Sequence, residues 1–301
     1  MSLPKIVRNA GFPFRAPSVP LGVEPPPDPN PVGADYDTEW ARSPLARVGR
    51  SALVEGVMRP LVEVLGSPKR TGLDRLDGLE GPVVFAANHH SHIDTPLLLT
   101  SIPLRWRHKI VVGAAADYFF ATRVTSAVSA FVIGAIPIER SKVGRKSADL
   151  ARSLIDDGWS LLIFPEGGRS PDGWGQPFRG GAAYIAMRCG VPVVPIHIEG
   201  TGRILRKGKN RPTRSAVTVT FGAPLRPHEG EDARKFAARI EREVAVLADE
   251  AATDWWQARR RAHAQATPSL SGPGIGAWRR AWALSAKDKK VQRTKRRWPE
   301  V

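Results

Sequence analysis

Short runs of apolar, β-branched residues alternate with helical patterns through the middle of the chain. This alternation constrains the fold more than any other feature. It favours an α/β fold: a single domain with a mixed, largely buried central sheet flanked by helices. We predict strands at residues 82–87, 110–113, 131–138, 161–164, 193–198 and 217–221, and helices near 96–101, 117–129, 146–157, 180–189 and 229–252.

The two ends of the chain differ in composition from this domain, which we place at residues 41–252. Residues 1–40 are rich in proline, which suits neither helices nor central strands, so we expect an extended or disordered lead-in. Residues 253–301 form a basic tail that, from Trp255 onward, holds twelve lysines and arginines, two acidic side chains and five tryptophans. Arginine with tryptophan suits a lipid headgroup interface, and a solvated tail is the alternative.

The domain begins with a basic amphipathic helix at residues 41–66. Pro60 predicts a kink or a break within it. Such a helix lies in a membrane interface or packs on its own domain, and the sequence leaves both open. Its apolar residues recur at helical spacing and comprise Leu45, Val48, Leu53, Val57, Leu61 and Leu65.

The net charge of +16 points to an anionic partner. A phosphate-bearing substrate, an acidic membrane surface and a nucleic acid all qualify, but no nucleic-acid motif accompanies the charge, so we expect no specific nucleic acid. The single Cys189 excludes a disulfide framework within the chain. Neither a membrane-spanning helix nor a secretory signal is predicted. We therefore expect a cytoplasmic protein, peripheral at the inner face of the cell membrane.

The motif richest in chemistry follows the apolar run at residues 83–87 and reads Asn88-His89-His90-Ser91-His92-Ile93-Asp94. A strand delivers these side chains to its carboxyl end, where open α/β sheets place their sites. A strand-to-helix turn can bring His89 and Asp94 together. A carboxylate on one imidazole nitrogen fixes the tautomer, and the other nitrogen can then take a proton from an alcohol.

Three other interpretations of this motif remain open at the level of single residues. The histidines could satisfy hydrogen bonds in a turn. His90, His92 and Asp94 have a spacing found in metal-dependent hydrolases, although a metal site needs further ligands. Ser91 lacks the flanking glycines of a strained nucleophile turn, so we do not assign it as a nucleophile.

Two later motifs carry groups that bind anions. Phe164-Pro165-Glu166-Gly167-Gly168-Arg169-Ser170 follows a predicted strand, where glycines allow close approach of a ligand and Arg169 offers a fork for phosphate. Arg140 stands at another predicted strand end, after Gly134 and Pro137-Ile138. Either motif alone is also compatible with a structural turn or a surface cation.

Together and in this order, the motifs resemble those of the glycerolipid acyltransferases, typified by the 1-acylglycerol-3-phosphate acyltransferases. The resemblance covers roughly residues 80–225, and the last of its motifs is Val191-Pro192-Val193-Val194-Pro195. Gly168 stands where that family usually has threonine.

The resemblance implies an acyltransferase of phospholipid synthesis. His89 would deprotonate the free hydroxyl of a lysophospholipid, with Asp94 orienting it, and the hydroxyl would attack acyl-CoA or acyl carrier protein directly. The implied substrate-binding residues are Arg140, Glu166, Gly167, Arg169 and Ser170. No metal and no cofactor beyond the acyl donor are implied, and an anionic membrane surface is expected to meet the basic tail and the amphipathic helix.

Overall fold

The computed structural model contains a seven-stranded sheet at its centre. It describes residues 32–139, 145–170, 173–205 and 211–271, without the side chains of residues 145 and 146. These residues lie in one compact unit that begins at Val32. The strands are β1 (Lys69–Thr71), β2 (Val84–Ala87), β3 (Ile110–Ala115), β4 (Ala135–Ile138), β5 (Ser160–Ile163), β6 (Val193–Glu199) and β7 (Thr218–Phe221).

The strands lie in the order β1-β7-β6-β2-β5-β3-β4. β6, β2, β5, β3 and β4 run parallel to one another. β7 pairs with β6 antiparallel, and β1 pairs with β7 in parallel. The sheet is therefore mixed, as predicted, and the carboxyl ends of the parallel strands reach one edge.

Helices cover both faces of the sheet, which explains why its central strands carry continuous apolar runs. One core cluster includes Phe85 and Leu98, and the other includes Val84 and Phe236. The α-helices are α1 (Pro44–Leu53), α2 (Arg59–Gly66), α3 (Asp94–Ser101), α4 (Leu104–Arg107), α5 (Ala116–Phe119), α6 (Arg123–Ile133), α7 (Arg145–Asp156), α8 (Gly181–Cys189), α9 (Thr201–Ile204), α10 (Ala233–Ala252) and α11 (Trp255–His263).

Two predicted boundaries near the middle of the chain are wrong. The strand predicted at 131–138 begins only at Ala135, because α6 continues to Ile133 and ends on Gly134 in the left-handed conformation. The helix predicted at 117–129 is split into α5 and α6. Thr122 caps the start of α6 by accepting a hydrogen bond from Thr125 N, and so sets a new helix start.

Four of the six apolar residues predicted for the amphipathic stripe are exposed, while Leu65 packs against the core. Leu45 is 87% exposed and Val48 is 69% exposed, whereas Val54 and Val62 face the core. A π-helical turn (Val54–Met58) joins α1 to α2, which has Pro60 in its first turn. Most of the stripe therefore faces outward, and its contact with a membrane stays a prediction.

Part of the predicted lead-in is ordered. Gly33–Asp35 and Glu39–Arg42 form short 3-10 helices, because Gly33 N donates to Phe120 O and Arg42 donates to the Thr38 hydroxyl. Residues 1–31 and the tail beyond Ser271 lie outside the described residues. No helix in the described part of the chain is long and apolar enough to cross a membrane.

Candidate active site

The predicted motifs meet at the carboxyl edge of the parallel strands. β2 ends at Ala87 and leads into residues 88–94, while the neighbouring β5 ends at Ile163 and leads into residues 164–170, which we name the acceptor loop. Ser170 N donates to His89 O at 2.8 Å and ties the two segments together. Arg140, predicted to bind substrate, lies outside the described residues.

His89 and Asp94 form a hydrogen-bonded pair. His89 Nδ1 lies 2.8 Å from Asp94 Oδ2, and the Asp94 side chain is fully buried. The same oxygen accepts the backbone N–H groups of His90 at 2.7 Å and Ser91 at 2.8 Å. These donors fold the turn around the carboxylate, so that residues five positions apart come together at the start of α3.

The hydrogen bonds to Asp94 define the tautomer of His89. Oδ2 already accepts two backbone N–H groups, so the third contact is satisfied when Nδ1 carries the proton. The lone pair of a neutral His89 is then on Nε2, and the ring lines a cavity. Phe164 stacks on the imidazole with the ring centroids 4.1 Å apart and restrains its orientation.

Asn88 anchors the start of the motif. Its Nδ2 donates to Ile198 O at 2.8 Å, and its Oδ1 accepts from Ile198 N at 2.7 Å. The side-chain amide thus donates to and accepts from the backbone of β6, as the backbone of a neighbouring strand would. Buried polar groups need such complete pairing, so Asn88 serves to position His89.

The buried carboxyl group of Glu166 accepts hydrogen bonds from two backbone N–H groups. The residue is 2% exposed; its Oε1 accepts from His89 N at 2.9 Å and its Oε2 accepts from Gln176 N at 3.0 Å. Burial raises the pKa of this carboxyl to about 7, although both backbone donors act to lower it. Its oxygens join the histidine motif to residue 176, and Glu166 also lines the cavity, so its role in substrate binding stays a prediction.

The rest of the acceptor loop divides into cavity-lining and internal residues. Gly167, Gly168 and Arg169 line the cavity. Gly167 adopts φ 71°, a left-handed conformation that favours glycine. Ser170 is buried and its hydroxyl accepts from Gly173 N at 2.7 Å, so the structure places this predicted substrate-binding residue inside the loop.

The cavity has a volume of about 1060 Å³ and a lining of two chemical kinds. Its apolar lining comes from β3 and the elements next to it in the chain and includes Val112, Ala114, Phe119, Ile133 and Ile138. Its polar lining includes the cations Arg169, Arg179 and Arg234, the amide Gln176 and the carboxyl groups of Glu139 and Glu166. His89 lies in the same cavity, so a molecule with an apolar and an anionic part could reach it.

Arg179 and Gln176 are cavity residues that the sequence analysis did not assign. Arg179 N donates to Pro165 O at 2.9 Å, and its guanidinium lies against Gly167, within 3.0 Å of where a Cβ would stand there. The Gly-rich turn at 178–181 was the available signal. This turn follows no predicted strand, so its contact with the acceptor loop could not be predicted from local sequence.

The metal-site and nucleophile interpretations of the histidine motif receive no geometric support from the described residues. His92 lines the cavity and stacks on Tyr118, and burial followed by the nearby Arg169 lowers its pKa. Within the described ranges, no three His, Cys, Asp or Glu side chains are grouped as metal ligands would be. Ser91 is fully buried and its hydroxyl donates to Leu205 O at 2.7 Å.

Comparison with known families agrees with this fold. Residues 66–199 match the family model described as Acyltransferase. The resemblance noted in the sequence is confirmed over this range of the chain. The four motifs, from Asn88 to Pro195, lie within the matched range.

Several relatives are named 1-acyl-sn-glycerol-3-phosphate acyltransferase. The 1-acyl-sn-glycerol-3-phosphate acyltransferase BAT2 of Brassica napus is 35% identical over 139 residues, which are 46% of this chain and 38% of that protein. LPAT1 of Arabidopsis thaliana, with the same activity in its name, is 33% identical over 46% of this chain and 37% of that protein. This chain thus spans less than two fifths of the length of these two relatives.

A solved structure shares the fold. The 1-acyl-sn-glycerophosphate acyltransferase PlsC from Thermotoga maritima superimposes with a TM-score of 0.54 at 21% sequence identity. The match covers 72% of this chain and 83% of that chain. The central sheet and its flanking helices are therefore an arrangement that both proteins share.

Proposed function

We propose that the protein transfers a fatty acyl group from an acyl thioester to the free hydroxyl of a lysophospholipid, with 1-acylglycerol-3-phosphate as the acceptor. The observation that carries this proposal is the 2.8 Å contact of His89 Nδ1 with Asp94 Oδ2 in a cavity lined by apolar residues and by arginines. The names of the relatives support the same acceptor.

In the proposed reaction, His89 Nε2 accepts the proton of the acceptor hydroxyl. The oxygen attacks the thioester carbonyl, a C–O bond forms, and the C–S bond breaks as the tetrahedral intermediate collapses. The proton held by His89 then passes to the thiolate that leaves. Asp94 stabilises the charged imidazole, and general-base help of this kind is worth roughly 10²–10⁴ in rate.

The two kinds of residue that line the cavity match the two halves of the substrates. The apolar residues of β3 and the elements next to it suit the fatty acyl chain, because burial of methylene groups stabilises a bound chain. Arg169, beside Gly167 and close to Arg179, suits the phosphate of the acceptor, since guanidinium groups bind phosphate in a forked geometry. Arg140 remains a third predicted contact.

The substrates are lipids, so we propose that the protein works at a membrane surface. The outward apolar stripe of α1 and α2 supports insertion among lipid headgroups. The basic tail supports attraction to an anionic leaflet, as at the inner face of a cell membrane. The peripheral, cytoplasmic location expected from the sequence is part of this proposal.

A panel of donors and acceptors tests the function. The purified protein is mixed with long-chain acyl-CoA or acyl carrier protein and with lysophosphatidate, other lysophospholipids or glycerol 3-phosphate. Product identification by mass spectrometry should show phosphatidate with release of the free thiol. If only a different lysophospholipid were acylated, the proposed acyl transfer would stand and the proposed acceptor would be wrong. Absence of acyl transfer in every pairing would contradict the proposal.

A further inference from the structure

A segment beyond the family match contacts the neighbourhood of the active site. Residues 264–271, here the C-terminal segment, follow α11, whereas the family match ends at residue 199. Gly175 N donates to Leu270 O at 2.8 Å. A Cβ at Gly175 would lie 3.0 Å from Leu270 Cβ, so the two stretches pack closer than a larger residue would allow.

The segment is held in place by α11. Ala258 is buried, and Arg259 pairs with Glu243 of α10 at 3.1 Å. Arg261 forms a second ion pair with Asp249, whose side chain is almost fully buried. These contacts dock α11 on α10 and thereby fix the point from which the C-terminal segment returns to Gly175.

The contact lies one residue from the hydrogen bonds that organise the site. Gln176 N donates to Glu166 Oε2 at 3.0 Å, and Glu166 Oε1 accepts from His89 N at 2.9 Å. The Gln176 side chain also donates to Arg169 O at 3.3 Å. A displacement of Gly175 would therefore reach both the acceptor loop and the backbone of the catalytic histidine.

We propose that the C-terminal segment is a positioning element for the acceptor loop. Leu270 fixes Gly175, Gly175 fixes Gln176, and Gln176 with Glu166 sets the position of Arg169 relative to His89. This inference rests on the proposed function, because the loop's role in acceptor binding comes from it. Leu270 touches neither substrate and acts through these residues.

The test uses point variants of the full-length chain. Gly175→Ala introduces a Cβ against Leu270 without backbone strain, since the φ of Gly175 is not positive. Leu270→Gly removes the opposing Cβ and should relieve the contact. Ser269→Gly is the matched control, because it also introduces a flexible residue into the segment, while the Ser269 hydroxyl contacts Ser271.

We expect Gly175→Ala to raise the KM for lysophosphatidate about fivefold, the scale of one lost hydrogen bond, with kcat and the KM for acyl-CoA within about twofold. Amide exchange of residues 175 and 176 should accelerate in parallel. The Gly175→Ala/Leu270→Gly double variant should return both quantities to those of Leu270→Gly alone. Gly175→Ala/Ser269→Gly should remain impaired.

Unchanged exchange and an unchanged acceptor KM in Gly175→Ala would overturn the proposal, as would equal rescue by Ser269→Gly. The exchange measurement needs no turnover. If the unsubstituted protein transferred no acyl group, the proposed function would fail, and slow exchange restored by Leu270→Gly would still establish the positioning contact.

Discussion

Glu166 Oε1 accepts the backbone N–H of His89 at 2.9 Å, so a carboxylate of the acceptor loop fixes the backbone of the proposed general base. The side chain is 2% exposed, and its second oxygen accepts from Gln176 N. The acceptor loop and the histidine motif are therefore one hydrogen-bonded unit, although 77 positions separate the two residues in the chain.

This buried carboxyl predicts a pH dependence of stability. Burial raises the pKa of Glu166 to about 7, above its ordinary value of 4.5. Between these values the folded protein keeps a proton that the unfolded chain has lost, so stability falls as the pH rises through this window. The loss is about 3 kcal/mol.

Glu166→Gln removes this titration. Denaturant unfolding of the unsubstituted protein and the variant at pH 5 and pH 8 measures it. The free energy of unfolding of the variant, relative to that of the unsubstituted protein, should increase from pH 5 to pH 8. A constant difference would show that Glu166 keeps an ordinary pKa.

Arg169 is expected to bind the acceptor phosphate. Arg169→Gln should raise the KM for lysophosphatidate between about tenfold and hundredfold, the scale of a lost charge-assisted hydrogen bond, and leave the KM for acyl-CoA nearly unchanged. Steady-state kinetics measure this. Arg188→Gln is a matched control, because Arg188 pairs with Asp149 and does not line the cavity. An equal effect of both variants would contradict a specific role.

The apolar lining of the cavity is expected to limit the acyl chain. Gly113 and Ile138 both belong to it, and a Cβ at Gly113 would lie 2.6 Å from Ile138 Cδ1. Gly113→Ala should push Ile138 into the cavity and shift preference toward shorter donors. The kcat/KM should fall roughly fourfold for each methylene that no longer fits.

A series of acyl-CoA donors of increasing length measures this preference. Gly56→Ala is the control, since a Cβ at Gly56 would meet nothing within 4 Å. An unchanged chain-length profile in Gly113→Ala would mean that the acyl chain lies elsewhere.

The outward stripe of α1 is expected to contact lipid. Leu45 and Val48 are exposed, so the Leu45→Ser/Val48→Ser variant should retain its unfolding temperature while binding to anionic vesicles weakens about tenfold or more. Vesicle sedimentation measures it. A chain that ends at Ser271 tests the tail separately, because it loses nine lysines and arginines but keeps α11 and Leu270. Undiminished vesicle binding by both would contradict the membrane proposal.

The sequence predicts the site's location better than its internal bonding. Apolar runs before Asn88 and Phe164 place both motifs at strand ends, and the structure brings them to neighbouring strands. The hydrogen bonds that Glu166 accepts from His89 N and Gln176 N could not be predicted, because backbone donors leave no mark in the sequence pattern. Residues Phe131 to Ile133 have strand propensity, yet tertiary context makes them helical.

Long-range contacts of the chain's end could not be predicted either. Leu270 approaches Gly175 only because α11 docks on α10 through ion pairs that local spacing does not reveal. The sequence of residues 253–301 did not predict α11, because its charged residues and tryptophans leave no clear apolar period. The apolar stripe of residues 41–66 was visible in sequence, but its outward direction was not.

The central claim is that Asp94 holds His89 so that Nε2 can take a proton from the acceptor hydroxyl. The direct measurement is thiol release from acyl-CoA with lysophosphatidate, compared among the unsubstituted protein, His89→Ala, Asp94→Asn and the neighbouring control His90→Gln. We expect turnover to fall about 10²-fold or more in the first two variants, with unfolding temperature retained, and to persist in His90→Gln. Normal turnover by folded His89→Ala would contradict the account.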